Sequence, residues 1–147
     1  MLVSPLSILD RLTGVEAGHD PSRTRRRQVL ADVQQLLNTR RAKDPIATNL
    51  KEARASILTY GLQDFSAMTV ASSLDHNAIR REIEQALKTF EPRLDRVRVG
   101  ELTVDEKTGV LHCSIEGALV HEEGEREGIV FETQLNPGTR QFNVKAS

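Results

Sequence analysis

The stretch KTFEPRLDRVRVGELTV, residues 88–104, is where the chain changes period. Upstream of it, Ile79, Ile83, Ala86, Leu87 and Phe90 recur at helical spacing and form the buried stripe of a helix expected over about Asp75–Phe90. Downstream, apolar residues alternate as they do in a strand with one buried face. Pro92 forces the change, because it disfavours helical backbone at Glu91. The corner therefore carries Glu91, Pro92 and Arg93 in a row. An arginine fork can hold a carboxylate and backbone carbonyls together, so these residues are expected to be a structural or protein-interface motif, which holds the helical layer to the sheet or docks a neighbour at that corner. As a solvated ion pair they contribute roughly 0–1 kcal/mol. If partly buried, removing one partner costs about 3–5 kcal/mol. The sequence leaves both states open.

Towards the N-terminus, Val29, Val33, Leu36 and Leu37 fall at i, i+4, i+7 and i+8, the pattern of a core-facing helix. Asp20 suits its cap and Pro21 its first position. Arg25, Arg26 and Arg27 follow near its start, where positive charge opposes the helix dipole. Pro5–Leu12 is expected to form a short helix, and Thr13–Thr24 a flexible connection. After a polar linker over Arg40–Asn49, a further helix is expected over about Leu50–Tyr60, ended by Gly61 in the left-handed region. Leu62, Phe65, Met68 and Val70 anchor the loop beyond it.

Towards the C-terminus, Val97 and Val99 alternate, and Leu102 and Val104 resume on the other parity, which predicts a bulge at Gly100. Further alternation runs through Leu111, Cys113, Ile115 and Leu119, through Ile129, Phe131, Thr133 and Leu135, and through Phe142 and Val144. The segments DEKTG, HEEGEREG and NPGT supply the turns. The fold class is thus α+β, with N-terminal helices packed on a C-terminal antiparallel β-meander of three to four strands. A length of 147 residues suits one domain: a short helix and flexible arm over 1–24, a helical part over 25–90 and a meander over 95–145.

Composition narrows the function. Four Phe, one Tyr and no Trp give too few aromatic faces for a nucleic-acid or carbohydrate stacking platform. The lone Cys113 rules out an internal disulfide framework and fits a reducing compartment. No apolar run reaches the roughly 18 residues of a membrane span, and the N-terminus lacks the basic region of a signal peptide, so a cytoplasmic protein without membrane insertion is expected. Met1–Thr48 holds eight Lys/Arg against five Asp/Glu, while Glu101–Leu135 holds two against nine. Such asymmetry suits oriented docking between different neighbours. Arg23, Arg25, Arg26, Arg27, Arg40 and Arg41 could stripe a phosphate backbone, but the acidic half would repel it, so nucleic acid is not expected as a partner.

Catalytic and metal chemistry find little footing. His19, His76, His112 and His121 are scattered, and His112 and Cys113 point to opposite strand faces, so no metal or cofactor is expected. There is no Gly-x-Ser-x-Gly elbow and no glycine-rich phosphate loop. Carboxylate pairs for glycoside hydrolysis are Glu82 with Glu84, Glu91 with Asp95, and Glu122 with Glu123. The first pair diverges on a helix, the second is flanked by Arg93 and Arg96, and the third lies in an open turn, so none divides acid from base. An enzyme is not expected.

The segment Glu91-Pro92-Arg93-Leu94 resembles the Glu-Pro-Arg signature of the family that contains the type VI secretion baseplate subunit TssE and the phage tail baseplate wedge proteins. LSILDRL (residues 6–12), VLADVQQLLNTRR (29–41), SILTYGLQDFS (56–66) and VHEEGEREGIVFETQL (120–135) resemble other family stretches in the same order. Ile8 replaces the first leucine of the N-terminal element, and Gln63 stands where the family loop usually has proline. The resemblance implies a structural subunit of a contractile injection machine, in a cytoplasmic baseplate docked at the inner membrane. Implied partners are the baseplate proteins TssF, TssG and TssK and the sheath proteins TssB and TssC. It also implies a role in initiating the sheath, through strands added to the subunit's sheet edge. Some members have been labelled lysozyme-like, which makes a peptidoglycan hydrolase the rival reading, beside a weak nucleic-acid-binding module.

Overall fold

A computed structural model of the chain describes residues 21–41, 59–65 and 72–147. Helix α1 spans Pro21–Asn38 and buries Val29, Val33, Leu36 and Leu37, the stripe anticipated from their spacing. Helix α2 spans Ser73–Phe90 and buries Ile79, Ile83, Ala86 and Leu87, with Phe90 half-buried at its end. It starts two residues before the expected Asp75, because Ser72 supplies the cap: its Oγ accepts from the Asp75 N–H at 3.4 Å. It ends where Pro92 requires, with Glu91 at φ −121° and ψ 76°, outside the helical region. The expected Pro5–Leu12 helix, the Asp20 cap and most of the Leu50–Tyr60 helix lie outside the described residues.

The remainder is one antiparallel sheet. Its strands are β1 (Leu94–Val99), β2 (Thr103–Val104), β3 (Leu111–Val120), β4 (Arg126–Asn136) and β5 (Gln141–Ala146). The order is β1-β3-β4-β5, and β2 pairs with the other end of β3 beside β1. The architecture is α+β, with one strand more than the meander of three to four, since Gly100 divides a single edge strand into β1 and β2. The bulge itself sits elsewhere. Pairing with β3 shifts between Asp95 and Arg98, and Arg96 takes a left-handed φ of 53°. Leu94 and Val97 are consequently both buried although three residues apart, because Arg96 absorbs the odd residue. Beyond Gly100, Val104 does not join the core and is 36% exposed.

The sheet's inner face meets both helices in one hydrophobic core that includes Val97, Ile115, Leu119, Ile129, Phe131 and Phe142. Phe131 is completely enclosed, which is worth about 2–3 kcal/mol relative to exposure. Along β4, Ile129, Phe131, Thr133 and Leu135 point inward as their alternation indicated.

Candidate functional site

The Glu91–Arg93 corner is where the layers are joined. Glu91 follows α2 and its side chain is only 4% exposed. Arg93 grips it with two parallel bonds, Nε to Oε1 and Nη2 to Oε2, each 2.7 Å. The Arg93 backbone N–H also donates to Glu91 Oε1, at 3.2 Å. Arg93 Nη2 then reaches Asp32 on α1, so a single guanidinium bridges the end of α2, the start of β1 and the middle of α1. The Arg93 pKa is raised, first by its bond to Glu91, with Asp32 adding to this and partial burial opposing it.

The backbone completes the corner. The Glu91 N–H donates to Leu87 O at 2.9 Å, the Leu94 N–H to Glu91 O at 3.1 Å, and the Val120 N–H to Arg93 O at 2.8 Å. The last of these ties the far end of β3 to the turn. Pro92 is exposed and shapes the chain without occupying the core. Of the two states open at the sequence level, the structure has the buried one for Glu91.

Two further residues belong to this site. Asp32 lies at the margin of the α1 apolar stripe, which is its only sequence-level signal, and sits 61 residues from Arg93. Tyr60 packs edge-on against Phe90, with ring centroids 5.3 Å apart and planes at 69°. Burial, followed by the negative charges of Asp32 and Glu91, pushes the Tyr60 phenol above its usual pKa.

Behind Tyr60, the segments LLNTR (36–40) and YGLQDF (60–65) meet. The Leu62 N–H donates to Thr39 O at 2.9 Å and the Arg41 N–H to Leu62 O at 2.8 Å. Gly61 has the left-handed φ expected of it, 104°, and a Cβ there would lie 2.4 Å from Thr39 O. Gln63 uses its departure from proline: its N–H donates to Glu82 Oε1 at 3.2 Å, and Arg41 Nη2 lies 3.2 Å from the same oxygen. A proline at 63 would have no N–H to donate.

Glu82, Glu84, Asp95 and Glu122 among the other candidate carboxylates are engaged in structure, while Glu123 is exposed in its turn. Glu84 Oε1 accepts from the Val99 N–H at 2.9 Å. Asp95 pairs with Arg126 at 3.1 Å, and Glu122 lies 3.6 Å from Arg25. Glu91 faces Arg93, and its side chain is only 4% exposed. Burial pushes the Cys113 thiol up to about 11, as befits a small hydrophobe on the inner side of β3. No group of three or more His, Cys, Asp or Glu among the described residues could hold a metal ion. None of their helices is long and apolar enough to cross a membrane.

Comparison with curated proteins finds no match. Among solved structures, one chain from a structure titled "The baseplate complex from the type VI secretion system" shares the fold, at a TM-score of 0.50 and 21% identity. The alignment covers 73% of this chain and 90% of that one. The family model "Baseplate wedge protein gp25" matches residues 23–123, a span that takes in α1 from its third residue, all of α2, the Glu91–Arg93 corner and β1 to β3. Covering more than half of the sequence, this match places the chain in the gp25 family of baseplate wedge proteins.

Proposed function

We propose that this chain is a structural subunit of a type VI secretion baseplate that initiates the contractile sheath. It joins a wedge with TssF, TssG and TssK and presents its sheet to the sheath proteins TssB and TssC, in a cytoplasmic baseplate docked at the inner membrane. Growth starts by strand addition, in which an extended sheath segment hydrogen-bonds along an edge of the sheet. The observation that carries this reading is membership of the wedge family across the helices, the corner and the first three strands. A fold shared with a chain of a type VI baseplate structure supports it.

In this reading the chain acts as one scaffold over residues 1–147, without catalysis. Glu91, Pro92 and Arg93 hold the helical layer on the sheet and leave Arg93 partly open to a neighbour, at 29% exposure. Affinity purification of the tagged chain from its own cells, followed by mass spectrometry, tests the assignment. Wedge and sheath proteins are expected in the eluate. Their absence from cells that assemble the machine would overturn it. Arg93→Ala is expected to reduce sheath nucleation, counted as sheaths per cell by fluorescence microscopy; a normal count together with normal thermal stability would remove the corner from the mechanism.

A further inference from the structure

Among the described residues, two that are not glycine take a left-handed backbone, and both are arginines: Arg96 at φ 53° and Arg140 at φ 56°. Side chains rarely adopt this region, and glycine, asparagine or aspartate is the usual choice where a chain needs it. At Arg140 the reason is a turn. Its N–H closes the β4–β5 connection on Asn136 O at 2.7 Å, and its carbonyl accepts from Arg40. Arg96 lies inside β1, where the bulge requires a left-handed residue but nothing in the bulge requires an arginine.

The bulge is accommodated by both strands. Gly117 stands against it on β3, where a Cβ would lie 3.3 Å from Asp95 O and 3.8 Å from Val97 Cγ2. Val97 thereby stays in the core at 3% exposure, while the Arg96 side chain beside it is turned out to 77%. Re-aiming one side chain is what a bulge does. The guanidinium so presented does little for its own chain. Its one carboxylate neighbour within 4 Å among the described residues is Asp95, 4.0 Å from Nε and too far for a hydrogen bond. Asp95 is already engaged on both oxygens: Oδ1 accepts from the Arg96 N–H at 2.8 Å, and Oδ2 from Arg126 Nε at 3.1 Å. The Arg96 fork therefore keeps its donors for another carboxylate. Asp95 beside it, and the exposed Glu116 opposite Arg98, disfavour a polyphosphate, whereas one carboxylate neutralises the fork.

We propose that Arg96 is an interface residue, whose guanidinium the bulge holds out to take an aspartate or glutamate side chain of a neighbouring baseplate protein. The proposal rests on the baseplate reading above and adds to it a residue and the chemistry of its partner. The contact is between side chains and leaves the backbone ladder of β1 as it is. It is distinct from the Glu91–Arg93 corner, where the arginine fork is spent on Glu91 and Asp32 within the chain. An arginine kept where glycine would relieve the backbone is the mark of a residue retained for a contact outside its own fold.

Two variants of the tagged full chain, purified from its own cells beside the wild type, test this. Arg96→Gly removes the fork and relieves the backbone, so its Tm should equal or exceed that of the wild type. It should nevertheless retain roughly 10-fold less baseplate protein, the loss expected for one interface arginine. Arg96→Lys keeps the cation and supplies an amine. Treated with a carbodiimide, the assembled Arg96→Lys particles should form an amide between position 96 and an Asp or Glu of another subunit, identified by mass spectrometry and absent from the wild type. A lower Tm for Arg96→Gly would show that the arginine serves its own fold. Equal retention by Arg96→Gly and the wild type would show that it touches no partner, and a crosslink confined to this chain that its carboxylate is internal. Each of these results would overturn the proposal and leave the baseplate reading intact. Failure of the wild-type chain itself to retain baseplate proteins would overturn that reading, and the proposal with it.

Discussion

Arginines and acidic residues tie α1 to the rest of the fold at two places, the Glu91–Arg93 corner and the tip of the β3–β4 hairpin. At the corner, Arg93 makes two 2.7 Å bonds to a carboxylate that is almost fully enclosed, and continues to Asp32. At the tip, Arg25 lies 3.6 Å from Glu122 and Arg26 lies 3.8 Å from Glu127, distances too long for hydrogen bonds. His121 Nε2 sits 3.1 Å from Glu127 Oε2. Glu122 is 56% exposed, so water screens its pair and can take the place of Arg25 at the carboxylate. The residue types match, yet the energetics differ. Desolvation makes the corner costly to break, while solvation makes the tip easy to rearrange.

The sharpest way to break this comparison is Arg93→Ala. It strands the enclosed Glu91 charge and is expected to cost about 3–5 kcal/mol in denaturant unfolding. A loss under about 1 kcal/mol would put the corner in the same class as the tip. Removing both partners, as Glu91→Leu with Arg93→Leu, should cost less than Arg93→Ala alone, because no buried charge is then left over. Thr133 extends the contrast to a neutral group. Its hydroxyl is buried without a hydrogen-bond partner among the described residues, so Thr133→Val should stabilise the chain by about 1 kcal/mol, read as a higher Tm.

Asp32→Ala removes the outer half of the corner. Asp32 is half exposed, so the expected loss is about 0.5–1 kcal/mol, and it should shrink in high salt. Arg25→Ala at the tip should change stability by less than about 0.5 kcal/mol at moderate salt. The smallest effect concerns pH. Backbone N–H groups of Lys107 and Thr108 hold the Asp105 carboxyl below its usual range. Its folded pKa is therefore below the unfolded one, so its contribution is complete above the ordinary carboxylate range and fades as pH falls through the folded value. NMR titration of the Lys107 and Thr108 amides should report that low midpoint; an ordinary Asp midpoint would contradict it.

Local physics made much of the fold legible in the sequence. Period-3.6 and period-2 spacings picked out both described helices and the inward row of β4, and Pro92 marked the corner between them. Each depends on residues within a few positions of one another. The bulge was one residue type away from legible. A glycine at the phase shift drew attention to Gly100, yet the left-handed residue is Arg96, whose conformation is imposed by pairing with β3 and not by its own preference.

What the sequence by itself determined is the α+β succession of elements, the residues of the core stripes and the presence of an acid and a base at the helix-to-strand turn. Tertiary structure decided what those residues do. It enclosed Glu91, supplied Asp32 to Arg93 across 61 residues, and laid Gln34 and Asn38 along β5 across 104 to 110 residues. The reason is that periodicity records which side of an element faces the core, whereas a polar partner is chosen by the packing of one element on another, at distances along the chain where spacing carries no signal.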